Sequence, residues 1–341
     1  MNVQTLRDTA RELVSPGRGI LAADESTGTI SKRFDAVGIE STEETRRQYR
    51  EMLFTTEGIG EYLSGVILYD ETLRQNASDG RPLPQVLLDH GIIPGIKVDK
   101  STVGLPLSPE EKFTQGLDGL GERLAEYREM GARFTKWRAV ITIGDGIPTK
   151  GCVEANARAL ALYAAFCQDH DLVPIVEPEV LIDGDHSIER CYEATEWMLH
   201  TTFQHLYEQN VEFSGMLLKP NMVISGKEAE RQAGVEEVAR STVECLRRTV
   251  PAAVPGIVFL SGGQTTTQAT AHLNAMNSMY EGLPWELSFS YARALQEPPM
   301  EIWAGEAGNV EEAQRAFYHR LKMNGAARSG SYSEEMEDEA A

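Results

Sequence analysis

Cysteine is scarce in this chain of 341 residues, and the few cysteines present are far apart in the sequence. Only four cysteines occur (Cys152, Cys167, Cys191 and Cys245), and no two of them form a C-x-x-C pair or lie close together in the sequence. So few and scattered cysteines do not resemble the dense cysteine framework of a small secreted domain or the closely spaced pairs of a cysteine zinc site. We therefore expect reduced thiols in the core of a cytoplasmic protein.

Long apolar runs and an excess of positive charge are also missing. No apolar segment approaches the roughly 20 residues needed to cross a bilayer. The early charged residues Arg7, Asp8, Arg11 and Glu12 make the amino terminus unlike a secretory or organellar signal. The chain carries 32 Lys and Arg against 52 Asp and Glu, a formal net charge of −20. This balance disfavours nucleic acid and anionic membrane as partners.

No low-complexity linker divides the chain, and 41% of its residues are hydrophobic, which is ample for a large core. We therefore predict one domain over residues 1–325. An acidic run follows Ser333, and such a run is typical of a solvated end. We predict a mobile acidic C-terminal tail over residues 326–341.

Eight short apolar segments alternate with segments of helical periodicity. This order is that of a (β/α)8 TIM barrel with right-handed crossovers. An open doubly wound sheet is the alternative, but no glycine-rich dinucleotide fingerprint follows the first strand. The predicted strands cover residues 18–26, 65–70, 92–100, 134–140, 173–180, 215–221, 256–263 and 286–291. Among the predicted helices, Ser41 and Glu44 form a capping-box pattern that opens one, and another covers residues 228–249.

Polar residues stand at the ends of seven of these strands, where barrel enzymes place their chemistry. Residues two apart on a strand share a face, so each charged pair on the fourth and fifth strands points one way. The cations and a Ser-Gly-Gly turn predict a positive pocket for a phosphate, while the carboxylates supply acids and bases. The strand-end residues are Asp24, Lys97, Lys136, Arg138, Glu177, Glu179, Lys219, Ser261, Gly262, Gly263 and Arg293. Asp99 and Lys100, at the end of the third strand, are expected to form an ion pair.

Lys219 ends a short apolar strand and shares its face with Leu217. Lysine is rarely buried without a partner, and a buried, poorly paired amine loses its proton readily and can attack a carbonyl. A snorkelling lysine is the alternative for one residue in isolation. Because Lys136 is predicted to lie nearby, we expect the crowding to lower the pKa of whichever amine is less well paired. The residues together indicate Schiff-base chemistry on a phosphorylated carbonyl compound.

Over residues 6–332 the chain resembles the class I fructose-bisphosphate aldolases. Seven motifs occur in the order found in that family, and their number and order, rather than any single one, carry the resemblance. They are GILAADESTG (19–28), GIKVDK (95–100), KWR (136–138), IVEPE (175–179), LLKPN (217–221), LSGGQ (260–264) and SFSY (288–291).

The resemblance implies reversible cleavage of fructose 1,6-bisphosphate into dihydroxyacetone phosphate and glyceraldehyde 3-phosphate, with no cofactor and no metal. It implies that Lys219 forms the Schiff base, Glu177 is the acid/base that expels water, and Asp24 takes the hydroxyl proton as the bond breaks. Lys136 would support these transfers, held in place by Glu179. The phosphate next to the carbonyl would be bound by Ser261, Gly262, Gly263, Ser290 and Arg293. The far phosphate would be bound by Ser26, Thr29, Lys32, Arg33 and Lys97, with Arg138 nearby.

Three departures from the family pattern bear on these roles. Thr29 stands where many relatives have serine, and Ala292 stands where glycine is common before the phosphate-site arginine. Well-studied animal members end in a tyrosine that reaches the active site, whereas this chain ends in Ala340 and Ala341. We do not assign that role to Tyr332. The resemblance also implies a homotetramer.

Three other functions are weighed against this one. A metal-dependent aldolase requires a histidine cluster, but His200 and His205 are five residues apart and do not share a helix face. A transaldolase-like barrel shares the lysine but does not explain two phosphate sites. A binding or scaffold protein on the same barrel would be favoured by loss of Lys219, Glu177 or Asp24, and all three are present.

Overall fold

The computed structural model describes residues 1–338 of the chain. This part contains ten β-strands and twelve α-helices. The strands are β1 (Gly19–Ala23), β2 (Leu63–Leu68), β3 (Ile93–Lys97), β4 (Thr102–Leu105), β5 (Ser108–Thr114), β6 (Phe134–Ile141), β7 (Val173–Val180), β8 (Leu217–Leu218), β9 (Gly256–Phe259) and β10 (Glu286–Tyr291).

Eight of the strands close into a barrel in chain order, β1-β2-β3-β6-β7-β8-β9-β10, with β10 pairing back onto β1. Every pairing in the barrel is parallel. The predicted (β/α)8 barrel is therefore confirmed.

Helices connect the strands and cover the outside of the barrel. No helix within the described range combines the length and apolar composition needed to cross a membrane. The helices are α1 (Val3–Leu13), α2 (Thr27–Ala36), α3 (Glu43–Phe54), α4 (Asp70–Leu73), α5 (Leu83–Asp89), α6 (Leu120–Glu129), α7 (Lys150–Asp169), α8 (Ile188–Glu208), α9 (Val235–Thr249), α10 (Thr266–Met279), α11 (Arg293–Trp303) and α12 (Val310–Arg328).

The core has two layers because alternate residues of a strand face opposite sides. The larger cluster lies between the strands and the helices. The smaller cluster fills the barrel interior, where Phe134, Ile175 and Leu217 pack with residues of α1 such as Leu6. Two residues further along these same strands stand Lys136, Glu177 and Lys219. The alternation that buries the apolar side chains inside the barrel thus aims the charged ones at its carboxyl end.

The structure differs from the sequence prediction at several local elements. A β4–β5 hairpin, which was not predicted, stands between the third and fourth barrel strands. The helix α11, which contains Pro298 and Pro299, was not predicted either. The capping box that opens α3 joins Thr42 to Thr45, whereas the sequence suggested Ser41 and Glu44.

The helix α9 begins at Val235, later than the predicted start at residue 228. Backbone amides around the predicted start bond to the loop that follows β7, and Glu228 N itself donates to Gly184 O at 3.0 Å. Gly226 N donates to His186 O at 2.8 Å and Lys227 N donates to Ile182 O at 2.9 Å. Pairing between two loops therefore holds residues 226–228 in place ahead of α9.

The predicted boundary between domain and tail falls inside α12, which continues to Arg328. Beyond it, Tyr332 is buried and its hydroxyl donates to Glu337 Oε1 at 2.9 Å. Glu337 also pairs with the buried Arg320 of α12. Tyr332 and Glu337 thus attach this segment to α12, and the mobility of the tail stays a prediction. The last residues of the predicted tail, 339–341, lie outside the described residues.

Candidate active site

A cavity of about 710 Å³ opens at the carboxyl ends of the barrel strands. Every predicted site residue except Gly263 lines it. The side chains come from strands far apart in sequence, which the closed barrel brings to one mouth. The predicted residues lining the cavity are Asp24, Ser26, Thr29, Lys32, Arg33, Lys97, Lys136, Arg138, Glu177, Glu179, Lys219, Ser261, Gly262, Ser290 and Arg293.

Lys219 follows directly on β8 and is almost fully buried. Its backbone amide donates to Val176 O at 2.8 Å, which continues the pairing of β8 with β7. This pairing holds the lysine beside the neighbouring strand, and its Nζ atom lies 3.4 Å from Glu177 Oε1. The amine therefore has a proton acceptor within reach.

Lys136 is the better paired of the two buried lysines. Its Nζ lies 2.6 Å from Asp24 Oδ2 and 3.4 Å from Glu177 Oε2. Burial alone would lower the pKa of Lys136, but the charges of Asp24, Glu177 and Asp99 outweigh it and raise that pKa. Lys136 therefore keeps its proton and acts as a fixed positive charge. The sequence led us to expect a lowered pKa for the less well paired amine, and Lys136 is not that amine.

Asp24 lies just beyond the end of β1 and is held as a carboxylate. Burial raises its pKa, but the positive charges of Lys136 and Lys219 dominate and lower the pKa to about 2. The group is therefore ionised at neutral pH and able to accept a proton.

Glu179 contacts a different cation from the one predicted. Its Oε2 pairs with Nε of Arg138, whereas the resemblance implied that it holds Lys136. In the register of β6 and β7, Arg138 stands beside Glu177 and Lys136 beside Ile175. The register therefore places Lys136 too early along β6 to meet Glu179. Burial lowers and the Glu179 carboxylate raises the pKa of Arg138, with a net rise.

One side of the cavity presents groups suited to a phosphate. The Ser-Gly-Gly turn (Ser261, Gly262 and Gly263) follows β9, and its two glycines have φ of 48° and 81°, which only glycine adopts readily. The buried hydroxyl of Ser290 has no hydrogen-bond partner among residues 1–338. Arg293, at the first position of α11, is exposed in the cavity wall. Backbone amides, a free hydroxyl and a guanidinium together form an anion site.

Ala292 and Thr29, the two cavity residues that depart from the family pattern, both fit the local geometry. Ala292 has φ of −103°, which alanine adopts without left-handed strain, so the replacement of glycine is tolerated there. The hydroxyl of Thr29 lies 3.1 Å from that of Ser26 at the amino terminus of α2. Gly263 does not line the cavity; a Cβ there would contact Ile182 and Lys227 instead.

The opposite side of the cavity carries Lys32, Arg33 and Lys97. Lys97 Nζ lies 2.5 Å from Asp99 Oδ1, so Asp99 pairs with Lys97 and not, as the sequence suggested, with Lys100. These cations can bind a second phosphate, although Asp99 partly neutralises Lys97 and Glu25 partly neutralises Arg33.

Sequence reasoning missed Glu25 as a site residue. One carboxylate oxygen pairs with Arg33, and the other lies 2.8 Å from NH2 of the buried Arg50 on α3. Gln296 Nε2 also donates to Glu25 Oε1, the oxygen paired with Arg33, at 2.8 Å. The only sequence signal was a second acidic residue next to Asp24, and the alternation of a strand pointed it away from the barrel interior. Ser101 and Thr102 line the cavity as well and were also missed.

No three His, Cys, Asp or Glu side chains between residues 1 and 338 form a group that could hold a metal ion.

The fold and the lysine–carboxylate cluster at the barrel mouth define an enzyme of the (β/α)8 class. Comparison with known proteins agrees. The family model described as "Fructose-bisphosphate aldolase class-I" matches residues 5–341. The chain is 58% identical over 333 residues to the "Probable fructose-bisphosphate aldolase class 1" of Xanthomonas campestris pv. campestris, covering 97% of this chain and 99% of the relative. It is 52% identical to the cytosolic fructose-bisphosphate aldolase 6 of Arabidopsis thaliana, covering 93% and 88% respectively.

Among solved structures, the fructose-bisphosphate aldolase of Plasmodium falciparum, crystallised in complex with TRAP and a small-molecule inhibitor, matches with a TM-score of 0.95. The two chains are 49% identical, and the match covers 97% of this chain and 95% of the other. The chain belongs to the class I fructose-bisphosphate aldolase family. It is accordingly a metal-independent aldehyde-lyase, and the function expected from the sequence is confirmed.

Proposed function

We propose that this aldolase reaction is carried by Lys219, Glu177, Asp24 and Lys136 in distinct roles. The observation that carries the proposal is the position of the Glu177 carboxylate, whose two oxygens each lie 3.4 Å from one of the buried lysines. One oxygen can exchange a proton with the Lys219 amine while the other stays paired with the Lys136 ammonium. A nucleophile with an adjacent base, itself oriented by a third group, is the arrangement that covalent catalysis requires.

The reaction begins when Lys219 passes a proton to the Glu177 carboxylate and the resulting neutral amine attacks the ketose carbonyl carbon. A proton then moves from the nitrogen to the former carbonyl oxygen, which gives a carbinolamine. Glu177 donates the proton with which water leaves, and a protonated Schiff base remains. This cation withdraws electrons from the bond between C3 and C4 of the sugar. Asp24 takes the proton of the C4 hydroxyl as that bond breaks, the aldehyde leaves, and an enamine stays on Lys219. Protonation of the enamine and hydrolysis then release dihydroxyacetone phosphate.

Lys136 keeps the charges of the site in balance during these steps. Its raised pKa means that it remains an ammonium beside two carboxylates that gain and lose protons. We further propose that the Ser-Gly-Gly turn, Ser290 and Arg293 bind the phosphate next to the carbonyl. The far phosphate is then bound by Ser26, Thr29, Lys32, Arg33 and Lys97, with Arg138 and its partner Glu179 at the edge of the site.

Borohydride trapping tests the assignment of the nucleophile. The protein is incubated with dihydroxyacetone phosphate and borohydride, with and without a chelator, and the modified peptide is mapped. The wild-type protein and the Lys150→Arg control, altered at an exposed lysine at the start of α7, form an adduct on Lys219 that the chelator does not affect. Lys219→Arg keeps the positive charge, forms no adduct and loses cleavage activity roughly a thousandfold or more. An adduct on another lysine, or cleavage abolished by the chelator, would contradict the proposal.

We also propose that the protein works as a cytoplasmic homotetramer. The support is the family membership, together with the word "cytosolic" in the names of the Arabidopsis relatives. Light scattering after size-exclusion chromatography tests the assembly. A homotetramer has about four times the mass of the 37.7 kDa chain, and a species of one chain would contradict it. Fractionation of cells of the source organism, followed by immunoblotting, tests the compartment, and recovery outside the soluble cytoplasmic fraction would contradict it.

A further inference from the structure

A buried histidine outside the cavity is linked by hydrogen bonds to the Ser-Gly-Gly turn. His272 lies in α10 and is 7% exposed. Its Nδ1 lies 2.5 Å from Oε1 of Gln264, the residue that directly follows the turn. The side-chain nitrogen of Gln264 donates to Ser261 O at 3.0 Å, and its backbone amide donates to the same oxygen at 2.9 Å.

The carbonyl oxygen of Ser261, at one end of this series of hydrogen bonds, determines the direction of each bond in it. Ser261 O is a carbonyl and can only accept, so the side-chain nitrogen of Gln264 must face it. The side-chain oxygen of Gln264 then faces His272, whose Nδ1 must carry a hydrogen and donate. Burial lowers the pKa of His272 to about 4, so the ring is neutral at physiological pH. A neutral imidazole with its hydrogen on Nδ1 meets this requirement.

The residues of the turn constrain its backbone conformation only weakly. Gly262 and Gly263 both have positive φ, and glycine is the residue with the greatest backbone freedom. A binding site built from backbone amides works only when those amides are held in the bound geometry beforehand. Two hydrogen bonds from Gln264 hold Ser261, the first residue of the turn. One of them comes from the Gln264 side chain, which His272 holds in position.

We propose that His272 is a positioning residue for the phosphate next to the ketose carbonyl, and that it acts through Gln264 on the backbone amides of the Ser-Gly-Gly turn. The inference rests on the proposed assignment of this turn to that phosphate. His272 itself does not line the cavity, so its effect on the ligand is indirect.

Two substitutions of nearly equal shape separate the hydrogen bond from the packing. In His272→Asn the side-chain amide nitrogen can take the place of Nδ1 and donate to Gln264, whereas His272→Leu fills a similar volume without a donor. Gln264→Met removes the link at its centre. Circular dichroism and thermal melting establish that each variant is folded, and Gln264→Met keeps the test decisive if His272→Leu does not fold.

The measurement is the ligand concentration for half-maximal borohydride trapping on Lys219, with dihydroxyacetone phosphate and with dihydroxyacetone, which lacks the phosphate. We expect His272→Leu and Gln264→Met to raise this concentration about fivefold to tenfold for the phosphorylated ligand, the loss of about one hydrogen bond. The value for dihydroxyacetone should stay unchanged, and His272→Asn should remain within about twofold of wild type. The double variant His272→Leu/Gln264→Met should need no higher ligand concentration than the weaker-binding single variant, because both changes break the same series of hydrogen bonds.

Several results would overturn the inference. If leucine and asparagine at position 272 weaken trapping equally, or if both ligands are affected equally, the role of His272 is packing alone. Unchanged trapping by the phosphorylated ligand in His272→Leu and Gln264→Met leads to the same conclusion. Failure of the proposed function is distinguishable, since the wild-type protein would then form no adduct on Lys219 or would not favour the phosphorylated ligand.

Discussion

The ring of Phe134 occupies the space that a side chain at Gly95 would need. The two residues stand opposite each other where β3 pairs with β6. A Cβ atom built on Gly95 would lie 2.3 Å from the nearest ring carbon of Phe134, a distance that no real contact allows. Glycine in β3 therefore makes room for the largest residue of the inner barrel layer, directly beneath Lys97 and Lys136.

This relationship predicts that Gly95→Ala lowers the free energy of unfolding by about 1–3 kcal/mol, the typical cost of overpacking a core. The double variant Gly95→Ala/Phe134→Leu should recover part of the loss, because a smaller side chain vacates the space. Gly104→Ala in the β4–β5 hairpin is the control. Apart from its chain neighbours, no described residue comes within 4 Å of the added Cβ, and we expect a change within about 0.5 kcal/mol. Denaturant unfolding checks all three, and equal effects at positions 95 and 104 would contradict the prediction.

The lowered pKa of Asp24 predicts a specific loss of stability in acid. The pKa falls from 3.8 to about 2 on folding, so the folded state favours the charged carboxylate. This contribution is complete above about pH 4 and is lost as the pH falls towards 2; by linkage it amounts to about 2 kcal/mol. In Asp24→Asn the unfolding free energy should change less steeply over this range. Urea unfolding across the pH series checks this, and parallel curves for the two proteins would contradict it.

The pairing of Glu179 with Arg138 can be measured by a double-mutant cycle. We expect Glu179→Gln and Arg138→Met to be coupled by about 0.5–1 kcal/mol in unfolding free energy, a modest value because Arg138 is 41% exposed. Glu179→Gln and Lys136→Met should be additive within the error of such a cycle, since Lys136 is held by Asp24 and Glu177. Stronger coupling of Glu179 with Lys136 than with Arg138 would support the pairing expected from the family resemblance.

The four cysteines should be unreactive in the folded protein. All four are free and buried, and burial raises the pKa of Cys152 to about 11 and that of Cys167 to about 12. Because the thiolate is the reactive form, Ellman's reagent should titrate almost no thiol in the native protein at mildly alkaline pH. In concentrated guanidinium chloride it should titrate all four. Fewer than four thiols in the denatured protein, or rapid reaction of the native one, would contradict the expectation.

Much of the fold could be predicted from residue patterns because those patterns are local. Each barrel strand is a short apolar run, and most of the helices between them follow helical periodicity. Elements held by distant contacts were not predictable in this way. The late start of α9 depends on backbone bonds from Gly226 and Lys227 to another loop, and the packing of Tyr332 depends on Glu337 and Arg320.

The candidate site shows the same division. Lys136, Glu177 and Lys219 could be assigned to one cavity because each shares its strand face with a residue of the inner core. Glu25 could not, since its role depends on Arg50 of α3. The link from His272 to the Ser-Gly-Gly turn depends on how α10 packs against the loop before it, which no spacing in the sequence indicates.

By itself, the sequence determined the order of the strands, the face on which each charged side chain lies, and so the set of groups at the barrel mouth. A strand's alternation is a property of its own backbone and needs no partner. Only the tertiary structure decided which carboxylate on one strand meets which cation on another: Asp24 with Lys136, and Glu179 with Arg138. The physical reason is that ion pairs form over about 3 Å, and the stagger of strands around a closed barrel sets distances on that scale.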